Sequence, residues 1–218
     1  MRKSGRNNLT KTGSRKIPFW MLGVVCLLFF LTIAFLSKWI IPHALTESFI
    51  PFLPPSLKHP LATNDMGYDI FSELISSSRV SLFIGLVAAA VSSAIGSLIG
   101  ILAGYFKGII GEITTGFIDL FLLIPTLPLM IILASYLGAG IWNIVFVIAI
   151  LGWCSTARAV RAKTLQLRES LFIDAFKALD FPVSRILFRH ILPNVMDVVS
   201  AKFVISVAGA MLTEAALS

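Results

Sequence analysis

The chain has 218 residues, of which 57% are hydrophobic and only 13% charged, and its mean hydropathy is +0.91. A soluble protein of this size has too little interior to hide so much apolar surface, and the same composition excludes disorder. The 18 Lys and Arg against 11 Asp and Glu leave a formal charge of +7. The basic residues gather in two blocks between apolar runs, a pattern that orients a membrane protein rather than one that binds nucleic acid.

Residues 1–16 form a basic tail with Arg2, Lys3, Arg6, Lys11, Arg15 and Lys16 and no acid, which should stay in the cytoplasm. A first transmembrane helix is expected over 17–41. Its uncharged stretch, 17–36, crosses a hydrocarbon core of about 30 Å at about 1.5 Å per residue. It exceeds the roughly 7 to 15 residues of a signal-peptide core and no A-x-A site follows, so it reads as an uncleaved span. Residues 42–79 form an external segment in which Glu47, Asp65, Asp69 and Glu73 outnumber Lys58 and Arg79.

The core is expected over 80–218. An uncharged run from Val80 to Phe106 carries Gly96, Gly100 and Gly104, followed by Gly108, at intervals of four. That spacing puts missing side chains on one helix face, a seam for close helix approach, with generic membrane-helix glycine as the plainer alternative. The run Phe117–Leu137 is interrupted by Pro125 and Pro128, which predicts a kink. After a tight external turn, Ile141–Ala157 makes a fourth run. The fifth, Val195–Leu217, holds Asp197, Lys202 and Glu214. Asp119, Lys202 and Glu214 lie in or near spans, where charge is expensive and serves either pairing or transport. Cys26 and Cys154 sit inside apolar runs, form no CxxC pair, and read as packing residues. The fold class is therefore all-α, polytopic, with five transmembrane helices.

Residues 158–194 fall inside with seven basic residues: Arg158, Arg161, Lys163, Arg168, Lys177, Arg185 and Arg189. Leu165, Phe172, Ala175, Phe176 and Leu179 recur near helical spacing, which predicts an amphipathic helix ending near Asp180, ahead of Pro182. A second short helix is expected over Val183–Ile191, reaching Pro193, with Asn194 capping the fifth span. Such a cytoplasmic helix-turn-helix suits a protein worked by a soluble partner.

No G-x-x-x-x-G-K-[ST], H-E-x-x-H or G-x-S-x-G occurs, and His43, His59 and His190 all fall outside the apolar runs. No catalytic residue, metal ligand set or nucleic-acid partner is expected. Three function classes remain: a permease driven by a partner ATPase, an intramembrane enzyme, and a membrane scaffold. The permease accounts for the cytoplasmic helices without needing a nucleophile.

The segment Phe172-Ile-Asp-Ala-Phe-Lys-Ala-Leu-Asp180, followed by Arg185-Ile-Leu-Phe-Arg-His-Ile-Leu-Pro-Asn194, resembles the EAA loop of inner-membrane permease subunits of binding-protein-dependent ABC importers. His59-Pro-Leu-Ala-Thr-Asn-Asp-Met-Gly-Tyr-Asp-Ile-Phe-Ser72 and Arg79-Val-Ser-Leu82 are similar to the dipeptide, oligopeptide and nickel branch, as are Asp119 with Pro125 and Pro128, and Glu214-Ala-Ala-Leu-Ser218. The resemblance covers roughly residues 17 to 218. It implies half of a translocation path in a prokaryotic inner membrane, built with a second permease subunit among membrane lipids. It also implies cytoplasmic ATP-binding subunits that use the ATP, an extracytoplasmic binding protein, and no cofactor on this chain. Phe172, Ile173, Asp174, Ala175, Phe176, Lys177, Ala178, Leu179 and Asp180 would form the coupling helix that docks on the ATPase, supported by Arg189 and Pro193. Short peptides are the implied substrate and nickel or a metal chelate the alternative, with no substrate-binding residue assigned. Asp174 stands where the family usually has Glu, Phe176 where it has Ala, and Asp180 where it has Gly. The family pattern continues into a further span after Glu214, so a truncated chain is expected, with a natural five-span protein as the alternative.

Overall fold

The computed structural model describes residues 19–42, 44 and 46–217, with side chains from Leu28 onward except that of Lys38. The basic tail, the start of the first run, the Cys26 side chain, His43 and Ser218 lie outside the described residues. Among the described residues, eight α-helices follow in order: α1 (Phe19–Ile40), α2 (Ile70–Tyr105), α3 (Ile109–Leu123), α4 (Thr126–Leu137), α5 (Ile141–Arg168), α6 (Leu171–Ala178), α7 (Val183–Arg185) and α8 (Leu192–Leu217). The protein is a polytopic helical membrane protein. Ile70–Tyr105, Ile141–Arg168 and Val183–Leu217 are each long and apolar enough to cross a bilayer.

Packing between helices fixes their relative directions. Gly96, Gly100 and Gly104 of α2 meet Thr156, Val160 and Thr164 of α5 in the same order, so the two helices run parallel. On α8 the order reverses: Val195 and Val199 join Ile101 and Val160, whereas Ala210 joins Ile84, Ala88 and Val145. The chain must therefore return between the end of α2 and the start of α5. α3 and α4 make that return together. Ile118 packs by Cys154 and Ala157 at the middle of α5, and Met130 by Val147 and Leu151 nearer its start. They form one broken span, bent by 82°.

The prolines act differently from the expected interior kink. Ile124 is extended (ψ 129°), as a residue before proline prefers, and Pro125 is the N-cap of α4. Pro128 then falls in the first turn, where a missing N–H costs no intrahelical bond. α4 ends at Gly138 (φ 76°), and Asn143 of α5 donates through Nδ2 to the Leu137 and Gly138 carbonyls at 2.8 and 3.1 Å. This is the tight turn the sequence predicts.

Two boundaries move. α2 begins at Ile70 rather than Val80, because Asp69 caps it, its carboxylate accepting from the Ser72 N–H at 2.9 Å and the Ser72 hydroxyl at 2.7 Å. α5 continues to Arg168, eleven residues past Ala157, because basic residues whose charged ends reach past the hydrocarbon do not stop a helix. The segment ahead of α2 is itself folded. Thr63 bonds Ile50 and Leu53, His59 pairs with Asp69 at 3.1 Å, and Gly67 (φ 83°) passes so close to the Phe49 carbonyl that no Cβ would fit.

Candidate functional site

α6 is short, and eight residues hold a helix in water poorly unless packing fixes one face. Ile173 is that anchor, 0% exposed among Ile101, Val160, Ile186, Ile191, Val195 and Val199. Phe176 packs on the same cluster, edge-on to Phe172 (6.2 Å between centroids) and Phe181 (5.3 Å), and stacks on His190 at 3.9 Å. Arg185 closes the far side, its guanidinium 5.4 Å from the Phe181 ring centre.

The opposite face of α6 is apolar and uncovered. Leu171 is 89% exposed, Leu179 69% and Phe172 39%, with Ala175 and Ala178 exposed between them. This corrects the expected helix in two respects. Leu165 belongs to α5, with Glu169 and Ser170 separating it from α6, and Phe176 turns inward rather than sharing a face with Phe172. Lys177 and Asp174 pair at 2.8 Å, and that bond, with the lysine charge, holds the Asp174 carboxyl below its usual range.

The helix ends near Asp180, as expected, with Leu179 as its C-cap and Asp180 adopting φ 54°. The Phe181 N–H bonds the Phe176 carbonyl and the Asp180 N–H bonds the Lys177 carbonyl, both at 3.1 Å, and the Phe176–Phe181 ring contact seals the motif. An aspartate therefore performs the turn for which the resembled family usually uses glycine.

Pro193 does not end the second helix. α7 runs through a π-helical stretch, Ile186–Ile191, straight into α8, and the Leu192 N–H reaches back to the Leu187 carbonyl. The wider turn accommodates a proline that cannot donate. Asn194 is inside this continuous helix, its amide donating to the His190 carbonyl at 2.6 Å, and caps nothing. Arg189 is exposed and makes no bond to α6, so His190 rather than Arg189 braces the short helix. The sequence motif contains His190, but the stack becomes visible only once the π turn sets its angle.

Of the four glycines, three lie in the seam. A Cβ on Gly96, Gly100 or Gly104 would come within 2.6, 2.5 and 2.6 Å respectively of Trp153, Ala157 or Thr164 atoms on α5. Gly108 faces open space with φ 69°, so it serves the turn into α3 rather than packing. Three acids in or near the spans are partnered: Asp119 with Arg158 at 3.3 Å, Asp197 with Lys163 at 3.5 Å, and buried Glu214, which accepts from the Ser81 hydroxyl at 2.7 Å. No group of three or more metal-ligating side chains occurs among the described residues.

A bundle of parallel and antiparallel apolar spans, with a short helix exposing an apolar face at one basic end, defines an integral membrane protein. Residues 96–218 match the family described as binding-protein-dependent transport system inner membrane component, and the chain belongs to that family. It is similar to the oligopeptide transport system permease protein OppC of Bacillus subtilis, 34% identical over 76% of this chain and 54% of that protein. It is likewise similar to the dipeptide transport system permease protein DppC of Bacillus subtilis, 31% identical over 94% of this chain and 64% of that protein. Against the glutathione transport system permease protein GsiD of Escherichia coli the identity is 30%, over 91% of this chain and 66% of that protein. The chain thus spans between about half and two thirds of the length of these relatives.

Proposed function

We propose that this chain is a permease subunit of an ABC importer for short peptides, providing half of the translocation path. The observation that supports it best is α6, pinned by Ile173 and Phe176 and offering Leu171, Phe172, Ala175 and Leu179 outward from the basic end of the bundle. An apolar helix face of this kind fits a groove on a soluble protein. In this reading the groove belongs to a cytoplasmic ATP-binding subunit that hydrolyses the ATP, and residues 172–180 are the coupling helix. A second permease subunit completes the path and an extracytoplasmic binding protein delivers the peptide. The relatives' names favour peptides over nickel or a metal chelate.

The orientation follows from charge. Arg158, Arg161, Lys163, Arg168, Lys177, Arg185 and Arg189 lie toward one end, which is cytoplasmic by the positive-inside tendency, and the N-terminus is cytoplasmic with it. α6 is fused through Ile173 to α5 and α8, so a push on α6 moves those helices together and can alternate access to the path. The test combines uptake of a radiolabelled dipeptide with copurification of an ATPase subunit. In intact cells, Ser56→Cys should react with an impermeant thiol reagent and Ser184→Cys should not. Uptake without an associated ATPase, or equal labelling of both positions, contradicts the reading.

A further inference from the structure

The C-terminal end of α2, the start of α3 and the last turns of α5 border an open cleft of about 530 Å³. Lys107, Glu112, Asp119, Arg161 and Arg168 line it. Most of these charges are already engaged. Asp119 pairs with Arg158, and Glu169 is shared between Arg168 at 2.9 Å and Lys107 at 3.6 Å. Arg168 also donates to the Gly104 carbonyl at 3.1 Å. Arg161 differs: its Nε is buried and it has no hydrogen-bond or carboxylate partner among the described residues. Arg161 itself is half-buried, so one guanidinium nitrogen has given up its water without replacement while the forked terminal donors remain open to a phosphate oxygen pair. α3 begins at Gly108 with no side-chain cap, so the positive end of its dipole lies at the same cleft.

We propose that this cleft binds a phosphate-bearing anion, the headgroup of an acidic phospholipid or free phosphate, with Arg161 as the principal ligand and Lys107 as its outer clamp. Glu112, the acid on the facing wall, opposes the anion and sets its affinity. The placement rests on the cytoplasmic orientation proposed above, where acidic headgroups meet juxtamembrane basic residues.

The test uses the membrane complex purified in mild detergent and measures binding of dioleoylphosphatidylglycerol, dioleoylphosphatidylcholine and inorganic phosphate by native mass spectrometry and thermal unfolding. Dioleoylphosphatidylglycerol should bind and raise the unfolding temperature, and zwitterionic dioleoylphosphatidylcholine should not displace it. Arg161→Gln should weaken binding about tenfold, the loss of one charge-assisted contact. Glu112→Gln should strengthen binding, an effect that loss of structure cannot mimic, and Lys107→Gln serves where Arg161→Gln folds poorly. Competition by inorganic phosphate at similar concentration assigns the site to free phosphate, and its failure to compete assigns it to lipid. Absence of binding by both anions, or affinity unchanged in Arg161→Gln and Glu112→Gln, overturns the proposal. None of these readouts needs transport or ATP hydrolysis, and reversed thiol labelling at positions 56 and 184 would move the site to the other leaflet without abolishing binding.

Discussion

Phe176 lies on His190 with ring centroids 3.9 Å apart and planes 25° from parallel, joining α6 to the π-helical lead-in of α8. Ile173 is buried one turn away, so α6 is fixed at two points and cannot swivel independently of the bundle. His190→Ala should cost about 1 kcal/mol, as expected for an aromatic pair, and reduce coupled uptake more than membrane abundance. Quantitative membrane blotting beside transport assays checks this, and a proportional fall in both would assign the stack to folding alone.

Gly100 should tolerate no larger residue. A Cβ there comes within 2.5 Å of the Ala157 carbonyl oxygen, a backbone atom that can yield only by separating α2 from α5. Gly100→Leu is expected to lose about 3 kcal/mol or more in unfolding assays in detergent, at or beyond the upper end of ordinary overpacking. Gly209→Ala, on a helix face with nothing within 4 Å, should be neutral or slightly stabilising.

Asp180 holds φ 54°, a conformation that costs an L-residue about 1 to 2 kcal/mol, and the asparagine-like side chain recovers only part of that. Asp180→Gly should therefore stabilise α6, by about 0.5 to 1 kcal/mol after the added chain entropy is subtracted. Asp180→Val should destabilise it. Amide hydrogen exchange at Phe181, whose N–H closes the helix end, reads both.

Asp69 gives a pH dependence. Burial raises its carboxyl pKa, but hydrogen bonds from Ser72 and His59 outweigh it and hold the folded value below the ordinary aspartate range. A depressed folded pKa contributes stability that is present above the unfolded value and lost as pH falls through the folded one. The start of α2 should thus loosen below about pH 4, the ordinary carboxylate range, and not near neutrality. Hydrogen exchange of the Ser72 amide should show the transition, and Asp69→Asn should abolish it.

Much of this architecture was legible in the sequence because the hydrocarbon core imposes a length on every span and the four-residue glycine spacing imposes a face. Both constraints act locally. What escaped depended on through-space geometry. The extension of α5 to Arg168 is invisible to hydropathy, since its last turns carry basic residues outside the bilayer. The π turn absorbing Pro193, and with it the placement of His190 against Phe176, arises only when α8 packs on α2. Phe176 and Phe172 share helical spacing, yet a helix of eight residues pointed at a core half-buries the first and leaves the second exposed. The same holds for Arg161, one basic residue among seven until its buried, unpartnered Nε sets it apart.

The central claim is that the outer face of α6 meets an ATPase subunit, and Ala175 lies in the middle of that face. Ala175→Cys, paired with cysteines in the groove of the copurified ATPase, should form a disulfide in a transport-competent complex. Ala175→Glu should insert at normal abundance but lose uptake and substrate-stimulated ATP hydrolysis, because an unpaired charge in an apolar groove is not compensated. Lys177→Gln, at a position already facing water, should retain most of its activity. Absence of a crosslink from position 175 in a competent complex, or normal uptake by Ala175→Glu, would contradict the assignment of α6 as the coupling element.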